Sequence, residues 1–314
     1  MNVFLTGGTG YIGSTLISRL ADEDKIQNIM VLARRREGVS QLNKAIGSSE
    51  NLKVTYGDVR SHNYDLRDVG AVIHLACVHN PYWCEQNSVE AISINVQGTQ
   101  RLLNAVREFE VPYFVFISTQ SVYPKQYDVL FNEDDKTAPT GVYPITKYIC
   151  EEMIKTLVDS STKFAILRPS KVYGLGAFVE WDSLTAKFAR FTCIGKGLTI
   201  YGDGNQGVDF VHVRDVSDFI CGLLTASGGT WNEIYNVSGG RSITINDLVE
   251  IYLKVAGEMG LKAPGKSYVN KGIDEEYIYR RLDISKARHK LGWAPRWSIE
   301  EGVRDLIKAY LDYN

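Results

Sequence analysis

A tyrosine and a lysine stand one helical turn apart at Tyr143 and Lys147, within the segment YPITK. A helix places residues i and i+4 on one face, so the phenol and the ammonium group lie close together. A phenol ordinarily keeps its proton up to about pH 10, but a nearby positive charge favours the phenolate and lowers its pKa. The spacing therefore predicts that Tyr143 exchanges a proton with a substrate, while Lys147 assists or binds a cofactor ribose. The alternative is an ordinary solvated helix face.

Hydroxyl side chains follow the apolar run 112–118, at Thr119 and Ser121. The carboxyl end of such a strand borders the crevice in which open α/β sheets bind ligands. Thr119 can donate a hydrogen bond to a substrate oxygen on which negative charge develops. The alternative is that these residues only begin a loop.

A glycine-rich turn near the start, TGGTGYIG at 6–13, connects an apolar strand to a helical pattern. Gly7 permits a tight turn, Gly10 lets the backbone approach a phosphate, and Gly13 lets the helix pack closely on the sheet. The helix N-terminus adds free N–H groups and the positive end of its dipole. This turn predicts a binding site for a dinucleotide pyrophosphate.

Alternating strand and helix patterns position these groups. Apolar runs predict strands, and several of these runs are uniformly apolar, which is typical of a parallel sheet covered on both faces; helical patterns fall between and after them. The strands are predicted at 27–33, 52–56, 71–76, 112–118 and 163–168, and the helices at 12–21, 87–108, 142–159, 244–258, 284–291 and 299–312. We expect an α/β fold: a Rossmann-type doubly wound parallel sheet with a smaller, mainly C-terminal substrate-binding lobe.

The predicted division assigns residues 1–168 plus about 209–245 to the dinucleotide-binding domain. About 169–208 plus 246–314 form the substrate-binding lobe.

Composition limits the function classes. With 314 residues, 44% hydrophobic and 23% charged, the chain is typical of a soluble globular protein. Its net charge of −2 gives no attraction to nucleic acid or anionic membrane. Neither a leader peptide nor an apolar run of about 20 residues is evident. The five cysteines lack metal-binding spacing, so we expect a reduced cytoplasmic protein without a metal.

Further motifs follow in a fixed order along the chain. They are TGGTGYIG at 6–13, GDV at 57–59, HLA at 74–76, NVQGT at 95–99, STQSVY at 118–123, YPITK at 143–147, RPSKVYG at 168–174, YGDG at 201–204, DFVHV at 209–213, YNV at 235–237 and DISKA at 283–287. In these motifs the chain resembles, from end to end, the extended short-chain dehydrogenase/reductase family. Within it, the resemblance is to the NAD-dependent epimerase/dehydratase group, which acts largely on nucleotide-linked sugars.

The resemblance implies that Thr119, Tyr143 and Lys147 are the catalytic trio. A hydride passes between nicotinamide and a sugar carbon while Tyr143 exchanges the hydroxyl proton. The implied cofactor contacts are Gly7, Thr9, Gly10, Tyr11, Ile12, Gly13, Asp58, Val59, Leu75, Ala76, Cys77, Asn95, Tyr143, Lys147, Pro169 and Val172. Asp58 and Val59 lie by the adenine, whereas His74 and Asn95 have packing or capping as alternatives. The resemblance also suggests a homodimer packed through the helices at 87–108 and 142–159.

One departure from the family pattern concerns the cofactor. Members that use NAD carry an acidic residue at the end of the second strand, where this chain has Ala33 followed by Arg34. A guanidinium suits a 2′-phosphate, so NADP(H) is favoured with Arg34 as its contact. The alternatives are NAD(H) and a solvated basic helix start.

A second departure concerns the reaction. The family's dehydratases carry an Asp-Glu pair after the catalytic threonine, where this chain has Gln120 and Ser121. Neither side chain is an acid or base near neutral pH, which disfavours dehydration. Because the family's epimerases usually prefer NAD, a preference for NADP indicates net reduction of a carbonyl, and reduction of a 4-keto sugar is favoured. The alternatives are an NAD-retaining 4-epimerase, a reductase of a ketone or aldehyde without a nucleotide, and a dinucleotide-sensing protein that is not an enzyme.

A third departure concerns the substrate diphosphate. Val208 stands where an arginine is common, and Lys171 stands where an asparagine is common. Lys171 can act as a point charge for phosphate, and Arg280 and Arg281 can reach the same group, with surface salt bridges as the alternative. The predicted substrate contacts are Thr119, Ser121, Lys171, Val208, Arg280 and Arg281.

Overall fold

A computed structural model describes residues 1–46, 51–126, 128–157, 161–226, 229–270 and 280–313 of the chain. In chain order the strands are β1 (Asn2–Thr6), β2 (Asn28–Ala33), β3 (Leu52–Tyr56), β4 (Val69–His74), β5 (Tyr113–Ile117), β6 (Val129–Phe131), β7 (Lys163–Pro169), β8 (Lys171–Tyr173), β9 (Leu198–Tyr201), β10 (Gly207–His212), β11 (Glu233–Val237), β12 (Ser242–Thr244), β13 (Lys266–Val269) and β14 (Arg280–Leu282). The helices are α1 (Tyr11–Ala21), α2 (Arg36–Ile46), α3 (Pro81–Gln86), α4 (Ser88–Ile92), α5 (Gly98–Glu108), α6 (Val142–Leu157), α7 (Leu184–Cys193), α8 (Val213–Thr225), α9 (Ile245–Glu258), α10 (Ser285–Leu291) and α11 (Ile299–Tyr313).

Seven parallel strands form the main sheet, in the order β3-β2-β1-β4-β5-β7-β11. The strand order changes direction between β1 and β4. In a doubly wound sheet, ligands bind beyond the carboxyl ends of the strands at such a point. The predicted α/β fold with a Rossmann-type parallel sheet is confirmed.

The side chains of β1 show why both faces of this sheet are covered. Val3 and Leu5 pack with α1 in one core, whereas Phe4 between them packs in a second core on the opposite face. Alternation by two residues is the geometry of a strand, and burial on both faces requires apolar residues at every position. The second core also holds Leu102 of α5 and Ile154 of α6.

A third core lies between the shorter sheets and the C-terminal helices. It includes Phe188 of α7, Leu248 of α9 and Val303 of α11. The shorter sheets are β8-β10-β12, β9-β13 and β6-β14. The segment predicted to belong to the dinucleotide-binding domain at about 209–245 is shared between sheets, since β10 and β12 join the small sheet and β11 joins the main one. The division into two lobes stays a prediction.

Several helices differ from the sequence prediction. The pattern does not predict α2, α3, α7 or α8, and the helix predicted at 87–108 is α4 and α5 joined by a π-helical turn, Ser93–Gln97. In α8, the buried residues Asp215 and Ser217 interrupt the apolar periodicity of the helix. The Asp215 carboxylate can be buried because it accepts hydrogen bonds from the backbone N–H groups of Arg296 and Trp297. Residues 158 and 159 of the predicted helix at 142–159 lie outside the described residues.

Candidate active site

The glycine-rich turn packs tightly against the end of β4. Gly7 has a φ of +73°, and a Cβ placed on it would lie 2.6 Å from the Ala76 nitrogen. A Cβ on Gly13 would lie 2.3 Å from the Gly7 carbonyl oxygen. Within the turn, the Gly10 N–H donates to that same carbonyl at 3.0 Å. The turn therefore requires glycine at 7 and 13 for both conformation and space.

The N-terminus of α1 opens from this turn toward the carboxyl ends of the strands. Its N-cap residue, Gly10, provides no side-chain hydrogen bond to the first turn of the helix. An uncapped N-terminus on an eleven-residue helix offers N–H donors and a positive dipole end to an anion. This glycine cradle and helix end fit the pyrophosphate of a nicotinamide dinucleotide.

The side chains of the turn contact the protein itself. The Tyr11 hydroxyl donates to the Gly174 carbonyl, and Ile12 packs on the first core. Thr9 lies against the start of α2, where a Cβ on Gly38 would be 3.0 Å from it. Each of these three side chains is therefore held against neighbouring parts of the protein beside the turn.

Charged groups lie beyond the ends of β2 and β3. The Arg60 guanidinium, whose Nε donates to Asp58 at 2.9 Å, lowers the pKa of the Asp58 carboxyl to about 2. Arg34 is near enough to lower it further. Arg36 instead lies over the Tyr56 ring, 5.6 Å from its centroid. Arg34 is thus near enough to act on the Asp58 carboxyl by its charge, whereas Arg36 lies over Tyr56.

Val59 and the residues after β4 lie near the carboxyl ends of the strands. Val59 is buried against Gly98, where a Cβ would lie 2.7 Å from its side chain. The Leu75 N–H donates to the Thr6 carbonyl at 3.1 Å, which places Leu75 and Ala76 beside the glycine turn. Cys77 follows, near enough to Tyr143 to influence its pKa.

Asn95 lies in the π-helical turn and is buried. Its Oδ1 accepts the Val78 N–H at 2.8 Å, while its Nδ2 donates to the Val78 carbonyl at 3.0 Å and to Thr146 Oγ1 at 3.0 Å. These bonds tie the loop after β4 to α6. They match the capping alternative, and a direct contact of Asn95 with cofactor stays a prediction. His74 likewise bonds to the Thr6 and Thr99 hydroxyls.

The structure places Thr119 near Tyr143, and Lys147 lies one turn further along the same helix. Thr119 follows β5 and accepts the Ser121 N–H at 3.1 Å, capping the short 3-10 turn Gln120–Val122. The Thr119 hydroxyl lies close enough to the Tyr143 phenol to lower its pKa by hydrogen bonding. Lys147, one turn further along α6, is buried with Nζ 4.1 Å from the centroid of the Phe116 ring.

The pKa of Tyr143 is raised, whereas the spacing to Lys147 predicted that it would be lowered. Desolvation raises the pKa of this phenol well above its usual value, and the Thr119 contact offsets only part of the increase. The Lys147 ammonium instead acts on His74, whose pKa is lowered to about 3 by burial and then by Lys147. Tyr143 therefore keeps its proton at neutral pH in the protein alone.

Lys171 and Val208 lie on neighbouring strands of the small sheet. Lys171 begins β8 and pairs with Phe210 of β10, two residues after Val208. Lys171 keeps some contact with solvent. Enough protein lies around its ammonium group, however, that desolvation lowers its pKa. Pro169 and Val172 flank it: Pro169 pairs with Val237, and Val172 packs on the first core.

The adjacent arginines of β14 have different surroundings. Arg281 forms an ion pair with Asp128 at 3.3 Å, which matches the salt-bridge alternative. Arg280 donates from Nε to the Pro124 carbonyl at 3.1 Å, and desolvation lowers its pKa. Because the Leu282 N–H donates to Asp209 of β10 at 3.1 Å, β14 is tied to the strand that carries Val208.

Three further side chains with buried polar atoms, none of them predicted as a site residue, are connected to the catalytic elements. The Gln120 Oε1 atom is buried next to Thr119 with no partner in the described part of the protein. Glu151 and Arg168 form a buried ion pair beneath the trio. The sequence indicates the burial of Arg168, because this charged residue lies inside an otherwise apolar run, FAILRP.

Within the described ranges, none of the helices is both long and apolar enough to cross a lipid bilayer. In the same residues, no three His, Cys, Asp or Glu side chains gather where they could hold a metal ion.

Comparison with known proteins adds to this geometry. A family model described as "NAD dependent epimerase/dehydratase family" matches residues 3–238. A UDP-glucuronate 4-epimerase of Thermodesulfobacterium geofontis is 30% identical over 324 residues, covering 96% of this chain and 94% of that protein. A putative UDP-glucose 4-epimerase of Methanocaldococcus jannaschii is 29% identical over 317 residues, covering 97% of each. The solved structure of MoeE5 in complex with UDP-glucuronic acid and NAD is 27% identical, with a TM-score of 0.84 over 100% of both chains.

Proposed function

The chain belongs to the NAD-dependent epimerase/dehydratase family, and on that premise we propose that it transfers a hydride at C4 of a nucleotide-linked sugar. The observation that carries the proposal is that the Thr119 hydroxyl lies close enough to the Tyr143 phenol to lower its pKa, while buried Lys147 follows one turn along the same helix. Relatives named as enzymes of UDP-sugars support the substrate class.

The chain's own residues supply the proton chemistry. A bound nicotinamide dinucleotide supplies or accepts the hydride. Tyr143, protonated in the free protein, donates its phenol proton to a sugar carbonyl oxygen and takes a proton back from the hydroxyl in the reverse direction. Thr119 hydrogen-bonds the oxygen on which charge develops, and Lys147 holds a positive charge one turn away.

The favoured outcome is 4-epimerisation with a retained dinucleotide, because two relatives are named as 4-epimerases. Net reduction of a 4-keto sugar by NADPH is the second candidate, and Ala33 with Arg34 beside Asp58 favours it. Gln120 and Ser121 provide no acid or base for dehydration.

Product analysis separates these outcomes. The purified enzyme is incubated with UDP-glucose, UDP-glucuronic acid or a 4-keto nucleotide sugar, with and without NADPH. An epimerase forms the C4 isomer without net consumption of NADPH, whereas a reductase oxidises one NADPH for each product. Added UDP or dTDP should compete, with Lys171 and Arg280 as the proposed diphosphate contacts. A lack of competition would favour a substrate without a nucleotide.

The cofactor preference is tested by titrating cofactor-free protein with NADPH and NADH, following nicotinamide fluorescence. If Arg34 binds a 2′-phosphate, NADPH binds at least about tenfold more tightly, a difference of about 1.4 kcal/mol. Arg34→Ala then removes the difference, and Arg35→Ala, its exposed neighbour, is the matched control. Equal or tighter binding of NADH would contradict the NADP(H) proposal and strengthen that of an NAD-retaining epimerase.

We also propose a homodimer formed through α4 and α6. Exposed apolar side chains lie one turn apart on both helices: Val89 and Ile92 on α4, Ile145 and Ile149 on α6. Such a patch is typical of a protein interface. Ile149→Glu is expected to convert a dimer to a monomer in sedimentation velocity. Ile194→Glu, an exposed isoleucine after α7, should leave the dimer intact. A monomeric parent protein at all concentrations would contradict the proposal.

A further inference from the structure

A buried ion pair joins the catalytic helix α6 to β7. Arg168 Nη2 donates to Glu151 Oε2 at 2.6 Å and Arg168 Nε donates to Glu151 Oε1 at 3.1 Å, so the pair is bidentate. The side chains are 0% exposed for Glu151 and 3% for Arg168. Burying two charges is costly, and an apolar pair of similar size is often at least as stable. Stability alone is therefore a weak reason for this pair.

The same carboxylate reaches the strand end that carries Thr119. The Ser118 hydroxyl donates to Glu151 Oε1, and the Ser118 N–H donates to the Leu167 carbonyl at 2.7 Å. Ser118 directly precedes Thr119. Glu151 lies one turn beyond Lys147 and two turns beyond Tyr143 on α6. One buried carboxylate thus connects the element that carries Tyr143 to the element that carries Thr119.

The guanidinium extends the network to the segment after Thr119. Arg168 Nη1 donates to the Tyr123 hydroxyl at 2.9 Å, and this hydroxyl donates to Asn236 Oδ1 at 2.8 Å. Tyr123 and Asn236 are fully buried. The stretch between Ser118 and Tyr123, which contains Thr119, is thereby held at both ends by the ion pair.

We infer that Ser118, Glu151 and Arg168 are positioning residues that set Thr119 against Tyr143 for proton transfer. The inference rests on the proposed function, because it assumes that the trio performs the reaction. None of the three needs to contact substrate. Their effect on the rate arises because displacement of a reacting group by about 1 Å can cost about a hundredfold.

Ser118→Ala tests the link without breaking the ion pair. We expect kcat to fall about tenfold, with little change in KM or in the Kd of the dinucleotide. The matched control is Ser217→Ala, which removes an equally buried serine hydroxyl whose partner is the Val213 carbonyl within α8. It should leave kcat unchanged even if it lowers the Tm as much.

A double variant tests the ion pair itself. Glu151→Leu with Arg168→Leu leaves no unpaired buried charge, so the protein is expected to fold. Its kcat should fall about a hundredfold, more than in Ser118→Ala, again with little effect on dinucleotide binding.

A folded Ser118→Ala variant with parental kcat, or with a loss no larger than that of Ser217→Ala, would overturn the positioning role. Failure of the proposed function is seen separately, as turnover retained by Tyr143→Phe. A kcat loss in both Ser118→Ala and the double variant, at constant dinucleotide Kd, is the supporting result.

Discussion

Replacing Tyr143 with phenylalanine is expected to lower kcat about a thousandfold and to leave dinucleotide binding nearly unchanged. The substitution removes one hydroxyl, and with it the proton donor and the partner of Thr119. It leaves the ring to pack at the start of α6. The glycine turn that is proposed to seat the pyrophosphate lies on another element and is not altered. Steady-state turnover of a nucleotide sugar and fluorescence titration of the dinucleotide measure the two effects.

Tyr148→Phe is the matched control for this experiment. Tyr148 lies on the same helix, is half-buried, and packs on a cluster with Val122 and Phe131 rather than toward Thr119. Its variant should retain the parental kcat. Turnover retained by Tyr143→Phe would contradict the proposed mechanism. A parent protein that binds dinucleotide but turns over none of the sugars would instead favour a sensing role.

Replacing Gly13 with alanine is expected to weaken dinucleotide binding by about a hundredfold or more. The added Cβ would lie 2.3 Å from the Gly7 carbonyl oxygen and 2.7 Å from the Gly8 Cα. Both are backbone atoms, so the clash is relieved only by opening the turn that presents the α1 N-terminus. Overpacking of this kind typically costs 1–3 kcal/mol, and about 2.7 kcal/mol corresponds to a hundredfold change in Kd.

Gly222→Ala distinguishes this effect from a general response to a glycine substitution. Gly222 lies on α8 with open space around the position of a Cβ, where alanine favours the helix by roughly 0.5–1 kcal/mol. This variant should bind dinucleotide as the parent does, with an equal or higher Tm. Circular dichroism verifies that Gly13→Ala is folded. A folded Gly13→Ala variant with parental affinity would contradict the pyrophosphate assignment.

Much of the fold could be predicted because its central strands are covered on both faces. A strand such as β5 must then be apolar at every position, and the sequence shows this as a continuous run. Prediction failed for α8, which buries polar groups. The polar residues Asp215 and Ser217 lie on the buried face of α8, so the sequence lacks the continuous apolar face expected of a buried helix. The partner that makes the burial of Asp215 possible, the Arg296 N–H, lies in a distant segment.

Features that depend only on neighbouring residues could be predicted from the sequence: the Tyr143–Lys147 spacing and the glycine turn. Tertiary structure alone decided which distant groups meet. It brought Thr119 near Tyr143 and Arg34 near Asp58, and it paired Glu151 with Arg168. It also raised the pKa of Tyr143, where spacing predicted a decrease, because desolvation depends on how much protein surrounds a group. The groups that surround a residue come from segments far apart in the chain, so a local sequence pattern cannot predict them.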